Sequence, residues 1–372
     1  MNPYVPQQLP LEGIDWTDHV SLIGDANAAL ARYDGLLSSI VNPSVLLSPL
    51  TTQEAVLSSR IEGTQATLEE VLEYEADPTE KMDPAKRADI QEIINYRMAM
   101  RHAVEAMEQR PLCLNLLREL HRILLDSVRG RNKAPGEFRR IQNYIGAPGC
   151  SIEEATFVPP SVDQLATSLD NWEKYIHFEE KDRLVQLAVV KAQFELIHPF
   201  LDGNGRVGRM LIPIFLFEKK LLSSPMFYLS AYLEAQRDVY YDRLRAISSQ
   251  GDWNGWIRFF LKAIIEQARD NTVKAKAILA LYDQMKREVP EITHSQYAIQ
   301  AIDALFDQPI FGTSTFTGRS KIPNATAKRM LSGLKEAGII HEMSSGSGRR
   351  GAIMIFPRLL AITEADSLED HA

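Results

Sequence analysis

Little in this chain offers itself to redox, disulfide or membrane chemistry. Only two cysteines, Cys113 and Cys150, occur in 372 residues. That excludes a disulfide framework and any cysteine-rich zinc site, and both read as buried thiols or as spectators. No basic stretch followed by an apolar run opens the sequence. The longest apolar run, 211–217, is interrupted by Pro213 and is too short to cross a bilayer. A cytoplasmic chain with no membrane contact is the expectation. The Gly-x-x-x-x-Gly-Lys-Ser/Thr phosphate loop is missing as well.

What is present has the balance of a soluble globular protein. Hydrophobic residues make up 45% and charged residues 24%, which argues against disorder and fibrous repeats. The length predicts two or three domains. Lys plus Arg is 41 against 49 Asp plus Glu, a net charge of -8. A chain this acidic does not bind nucleic acid wholesale, although the average can hide one basic module.

The first 20 residues are Pro-rich and predict an extended surface arm. Helical patterns follow over 21–41, 49–63, 67–75, 85–109 and 115–127. Residues 129–161 change character, with many Gly and Pro and two β-like runs, 138–145 and 155–158. A small hairpin is predicted there. Helices resume at 162–175 and 183–197, the second apolar on nearly every side and so expected at the centre of its domain. Further helices are predicted at 206–218, 234–248 and 252–286. The segment 294–358 reads as helix, helix and two short strands around a Gly/Ser/Arg tip, the outline of a winged helix-turn-helix. The tail, 363–372, is acidic.

One stretch carries chemistry. Residues 198–209 read HPFLDGNGRVGR and directly follow the buried helix. Pro199 disfavours helix at His198, and Gly203 and Gly205 permit tight turns before the next helix. Backbone N–H groups at such a helix start form an anion nest. Arg206 and Arg209, three apart, share a face. Taken singly, each piece has a plainer reading: a helix stop, a turn, a solvated pair of arginines. Together they suit phosphate chemistry, with Asp202 able to hold Mg²⁺ and His198 able to accept a proton.

This stretch resembles the Fic motif, His-x-Phe-x-Asp/Glu-Gly-Asn-Gly-Arg-x-x-Arg, at every fixed position. The resemblance covers about 112–265, together with the flanking N-terminal helices and the C-terminal module. It implies a mainly α fold, a Fic-type helical core with a small β-hairpin flap plus a C-terminal winged-helix domain. It also implies transfer of AMP from ATP to a protein hydroxyl. His198 would be the general base, Phe200 the anchor of the loop, and Asp202 the Mg²⁺ ligand. Gly203, Asn204, Gly205, Arg206, Val207, Gly208 and Arg209 would bind the nucleotide. Tyr240 resembles a tyrosine of the nucleotide pocket, or is a half-buried core aromatic. The flap, 136–158, would align a target Tyr, Thr or Ser segment by strand addition. UMP transfer, phosphorylation and removal of AMP are alternatives within the family. Gly205 departs from the lysine of the kinase-like death-on-curing relatives and favours AMP transfer. A winged-helix regulator with a nucleotide-sensing core is a further alternative.

Ser58-Ser-Arg-Ile-Glu62-Gly63 resembles the family's inhibitory motif, Ser/Thr-x-x-x-Glu-Gly/Asn. Ser58 and Glu62 lie four apart on one helical face. A glutamate in a last helical turn opposes the helix dipole, so a cation should compensate it. Arg209 is the candidate, and such a pair would occupy the site of the ATP γ-phosphate. Between 316 and 358, eight cations stand against two anions. Arg349 and Arg350 would lie at the wing tip, and two readings stay open for this module: DNA held through its phosphates, or a protein-docking or dimerising surface. The expected division is 1–110 (N-terminal helices with the inhibitory helix at 50–63), 111–265 (Fic core), 266–290 (linker helix), 291–362 (winged helix) and 363–372 (tail). A homodimer is also expected by the resemblance.

Overall fold

The computed structural model describes residues 2–79, 82–127, 131–147, 149–346 and 351–365. Its centre is α8, Arg183–Ile197, in which every residue from Leu184 to Phe194 is buried. The all-round apolar pattern predicted this placement. Five helices surround α8: α1 (Trp16–Ser39), α7 (Val162–Ile176), α9 (Asn204–Glu218), α11 (Arg237–Gln250) and α12 (Trp253–Thr293). Trp172 and Trp256 donate their indole N–H groups to the α8 carbonyls of Val190 and Ala188, so the polar edges of these two rings are satisfied.

Asp182 starts α8 by accepting from the N–H groups of Leu184 and Val185. At the other end His198 adopts a left-handed conformation (φ 49°, ψ 60°), and Pro199 prevents further helix. The chain turns through Gly203 (φ 76°) into α9. A residue with a Cβ would be strained at that position.

The N-terminal arm lies extended over the core, but it ends at Asp15 and not at residue 20, because the Asp15 side chain accepts from the Asp18 N–H and starts α1 at Trp16. Leu9 exchanges two hydrogen bonds with the Asn171 side chain, and the Tyr4 N–H donates to the carbonyl of Val158. After α1 come α2 (Pro43–Leu46), α3 (Ser48–Ile61), α4 (Leu68–Ala76), α5 (Pro84–Met107) and α6 (Leu114–Leu124). The predicted helix over 234–248 is divided at Gln236 into α10, Ser230–Ala235, and α11.

The chain is mainly helical, and its sheet lies near the C-terminus. Strands β1 (Ile310–Gly312), β2 (His341–Ser344) and β3 (Ile353–Ile355) form an antiparallel sheet in the order β1-β3-β2, pairing Ile310 and His341 with Ile355. Helices α13 (Ala298–Asp307), α14 (Thr313–Ser320), α15 (Asn324–Glu336) and α16 (Pro357–Glu364) belong to the same stretch of chain. Sequence reading missed β1, α14 and α16, which are too short to show a period. This C-terminal part packs against α2, α3 and α4. Leu68, Leu72 and Ala76 of α4 share a small apolar cluster with Ile310, Ile353 and Leu360.

The predicted hairpin strands at 138–145 and 155–158 are not formed. One antiparallel bridge, Ile145–Phe157, stands in their place. Side chains hold this segment instead of a strand ladder: Gln142 donates to the Pro159 carbonyl, and Asn143 to the carbonyl of Phe200. Among the described residues, no helix is long and apolar enough to cross a membrane. Both cysteines are free and half-buried. Arg349, Arg350 and 366–372 lie outside the described residues.

Candidate active site

The loop between α8 and α9 is fixed from below by Phe200, fully buried and stacked on His121 at 3.8 Å. Asn204 clasps the backbone of the same residue, its amide oxygen accepting from the Phe200 N–H and its amide nitrogen donating to the Phe200 carbonyl, both at 2.9 Å. Asn204 was expected in the anion hole; its side chain is used on this clasp, and only its N–H remains at the helix start. The Gly136 N–H donates to Nδ1 of His121, so Nε2 carries the proton and donates to the Asp202 carbonyl. Burial pulls this imidazole down to about 4, and it stays neutral.

The α9 hydrogen-bond ladder begins with the Val207 N–H on the Gly203 carbonyl. The N–H groups of Asn204, Gly205 and Arg206 precede it and form the positive end of the helix. A carboxylate of the protein itself lies there. A Cβ built on Gly205 would fall 2.1 Å from Oε1 of Glu62. Position 205 therefore has to be glycine for that approach.

Glu62 arrives from the end of α3. The Gly63 N–H returns to Arg60 and the Thr64 N–H to Ser59, a Schellman closure that needs the positive φ of Gly63 (99°). This closure leaves Glu62 at the cap, where its own helix repels it. The compensation is Arg209, 1% exposed, whose Nη2 donates to Glu62 Oε1 at 2.6 Å. Arg209 also donates to the hydroxyl and the carbonyl of Ser58, both at 2.8 Å. The expected contact of Glu62 with Arg209 is thus present in the structure, and the two bonds from Arg209 to Ser58 add to it. Burial raises the Glu62 carboxyl, but Arg209 outweighs it and the group lies below its ordinary range. Burial lowers Arg209 and Glu62 outweighs that, so the guanidinium stays charged. Further back on the same face of α3, Glu54 accepts from both the N–H and the hydroxyl of Ser230. Its burial pushes the carboxyl up to about 7.

Glu62, Gly205 and Arg209 share a cleft of about 870 Å³ with His198, Tyr240 and Tyr241. Tyr144, Ile145, Thr156 and Phe157 of the flap segment form its other wall. The His198 Nδ1 lies 3.2 Å from the Glu195 carbonyl, which makes it the donor and leaves Nε2 with the lone pair. Burial lowers this imidazole, and the Glu195 and Glu62 carboxylates only partly oppose it. Tyr240 both lines the cleft and is fully buried, accepting from Lys191 at 2.9 Å. It is more deeply buried than the half-buried core aromatic that sequence allowed, yet it still reaches the cleft wall.

The remaining predicted residues divide. Arg206 faces Glu92 of α5 at 2.7 Å, while its buried Nε has no partner among the described residues. Asp202 accepts from the Gly203 N–H, and its side chain is 44% exposed. Val207 and Gly208 do not line the cleft. Val207 points into the core, and a Cβ on Gly208 would meet Glu195 and Lys191. Sequence reading passed over Glu92, His121, Asn143 and Lys191, which act across long sequence separations and belong to no local pattern.

Near the C-terminus, three of the counted cations are used internally. Arg319 bonds Gln308 and the Ala304 carbonyl, Lys335 pairs with Glu342, and Arg358 bonds Gln284. Lys321, Lys328 and Arg329 stay exposed around the start of α15.

Residues 20–105 match the Fic/DOC family N-terminal model, and residues 111–216 match the Fic/DOC family model. A curated protein of Drosophila grimshawi named protein adenylyltransferase Fic is 30% identical over 253 residues, 65% of this chain and 44% of its own length. Its namesake in Drosophila yakuba is 31% identical over 176 residues, 45% of this chain and 31% of its own. The chain thus spans less than half the length of these curated relatives. Among solved structures, a Fic family protein from Desulfovibrio desulfuricans G20 superimposes with a TM-score of 0.58 at 19% identity, over 96% of this chain and 98% of its own. Fic-1 from C. elegans gives 0.51 at 19% identity, over 70% and 73%. At these identities the likeness is one of fold.

Proposed function

The chain is a Fic domain protein, and from that premise we propose that it is a Mg²⁺-dependent protein adenylyltransferase held inactive by Glu62. The observation that carries this reading is the cleft itself. His198, the open N-terminus of α9 and Arg209 converge there, and a carboxylate of the chain lies where a phosphate would bind. The name of the curated relatives supports the reaction class.

In this reading the nucleotide phosphates rest on the N–H groups at the start of α9, with Arg206 and Arg209 as counter-charges. A target hydroxyl oxygen attacks the α-phosphorus, and its proton passes to Nε2 of His198. The bond from that phosphorus to the bridging oxygen breaks, and pyrophosphate leaves with the electron pair. Positioning and charge neutralisation supply most of the acceleration. Among the described residues no cluster of His, Cys, Asp and Glu could hold a metal by itself. Asp202 is a single, half-exposed carboxylate beside the cradle, which suits Mg²⁺, an ion that takes one or two carboxylates and completes its shell with phosphate oxygens. Mg²⁺ held there would neutralise phosphate charge.

The Glu62→Gly protein, given Mg²⁺ and ATP labelled at either end, tests the reaction. Label from the α-phosphate should appear on protein and label from the γ-phosphate should not. The reverse would make the enzyme a kinase. Preference for UTP would favour UMP transfer, and loss of AMP from a modified protein would favour the reverse reaction.

The region 291–362 is read as a winged helix on the order α13, β1, α14, α15, β2, β3, and its exposed Lys321, Lys328 and Arg329 suit a duplex backbone. Gel-shift titration should find binding that weakens steeply with salt; no binding at low ionic strength would leave protein docking as its role. The domain limits at 110, 265, 290 and 362 belong to the same proposal, although α12 runs unbroken across 265 and 290 and α16 across 362. So do target docking at 136–158, homodimer formation and a cytoplasmic setting, where ATP is at hand.

A further inference from the structure

Arg139 lies in the segment that reads as a β-strand, and its side chain is 2% exposed. Among the described residues no carboxylate pairs with it. Its Nε donates to the His198 carbonyl at 3.0 Å, and Nη2 to the carbonyls of Pro160 at 2.5 Å and Ile197 at 3.5 Å. Nη1 approaches the Ile141 carbonyl at 3.5 Å, and the Arg139 N–H donates to Pro199 at 2.9 Å. A buried charge without a counter-ion is costly, and burial brings this guanidinium down to about 10. Only the oxygens at the negative end of α8 and along the flap base compensate it.

The site explains the cost. His198 is a left-handed residue without the freedom of glycine, and its carbonyl is one of the orphan acceptors at a helix end. We propose that Arg139 is the positioning residue of His198: one planar fork binds the His198 and Pro160 carbonyls together, fixes the imidazole between α8 and the flap, and keeps a positive charge behind it. This rests on the reading of His198 as general base. Groups of both signs face His198. Glu195 lies on its own helix, Glu62 on the α3 cap and Arg209 on α9, while Asp238, Asp242 and Arg245 line the cleft from α11. Arg139 adds a cation from the flap side and helps to keep the ring neutral.

The test uses Arg139→Gln and Arg139→Lys in the Glu62→Gly protein. Arg139→Gln removes the charge. It should lower kcat roughly 10- to 100-fold with KM for ATP nearly unchanged, because the base and not the nucleotide is misplaced. His198 should gain proton affinity. A base works only when neutral, so the acid limb of the pH–rate profile should move to higher pH. Arg139→Lys keeps the charge and loses the fork, so it should leave the limb in place and lower kcat. Unchanged kcat and an unmoved limb in Arg139→Gln, or a rise in KM alone, would overturn the proposal. If Arg139→Gln does not fold, Arg139→Lys decides: unchanged kcat sinks the positioning role. NMR titration of the His198 ring separates this from the reaction itself. If Glu62→Gly transfers no AMP, the functional reading fails. An upward shift of the His198 titration in Arg139→Gln would then still support Arg139, and no shift would overturn it.

Discussion

Glycine in place of Glu62 is expected to raise AMP transfer, self-modification included, by roughly 10- to 100-fold, the span of a coupling energy of about 1–3 kcal/mol. The reason is local. Oε1 of Glu62 lies against Gly205 and bonds Nη2 of Arg209 at 2.6 Å, so a phosphate must displace it to use the start of α9. The substitution costs little backbone order, because Glu62 is already the cap of α3 (φ -89°, ψ 2°) and is followed by a glycine. Arg209 keeps its two bonds to Ser58, so the cation stays in place for the nucleotide. Glu62→Gln should give a smaller rise, since the amide oxygen still accepts from Arg209 but without the charge. Labelled ATP measures all three proteins under one condition. Equal labelling of wild type and Glu62→Gly would remove the inhibitory role.

Alanine in place of His198 should lower transfer by the Glu62→Gly protein by on the order of 10²- to 10⁴-fold, the usual contribution of a positioned base. Among the described residues the ring makes one hydrogen bond, from Nδ1 to the Glu195 carbonyl, so far-UV circular dichroism should be unchanged. ATP binding should also survive, because the cradle and Arg209 are untouched. Burial holds the imidazole below its ordinary value, so it is neutral and ready to accept a proton at neutral pH. Removing Glu62, which raises it, lowers it further. The acid limb of Glu62→Gly should therefore lie below the ordinary imidazole range. A Glu62→Gly/His198→Ala protein as active as Glu62→Gly would exclude His198 as the base.

Much of this site was readable because its parts are local. The motif 198–209 compresses helix stop, turn, nest and cations into one stretch, and the all-round apolar pattern of α8 placed it at the core. The pairing of Glu62 with Arg209, 147 residues apart, came from the resemblance together with the misfit of a glutamate at a helix end. The flap region misled for a physical reason. Phe138 to Ile145 has the apolar content of a strand, yet the carbonyls of 197–200 draw its side chains (Arg139 and Asn143) inward, and a side-chain scaffold replaces the ladder. Glu92 facing Arg206 and His121 under Phe200 come from helices α5 and α6 that no spacing ties to the motif. The basic count over 316–358 overstated the open charge, because Arg319, Lys335 and Arg358 are held by neighbours within the chain.

Intact-mass spectrometry, after incubation with ATP, Mg²⁺ and cell lysate, tests most directly whether Glu62 occupies the phosphate site of an adenylyltransferase. The Glu62→Gly protein should show the mass of AMP added to itself or to a lysate protein, with far less from the wild type and none from Glu62→Gly/His198→Ala. No AMP adduct from Glu62→Gly, or the same yield from all three proteins, would contradict the account.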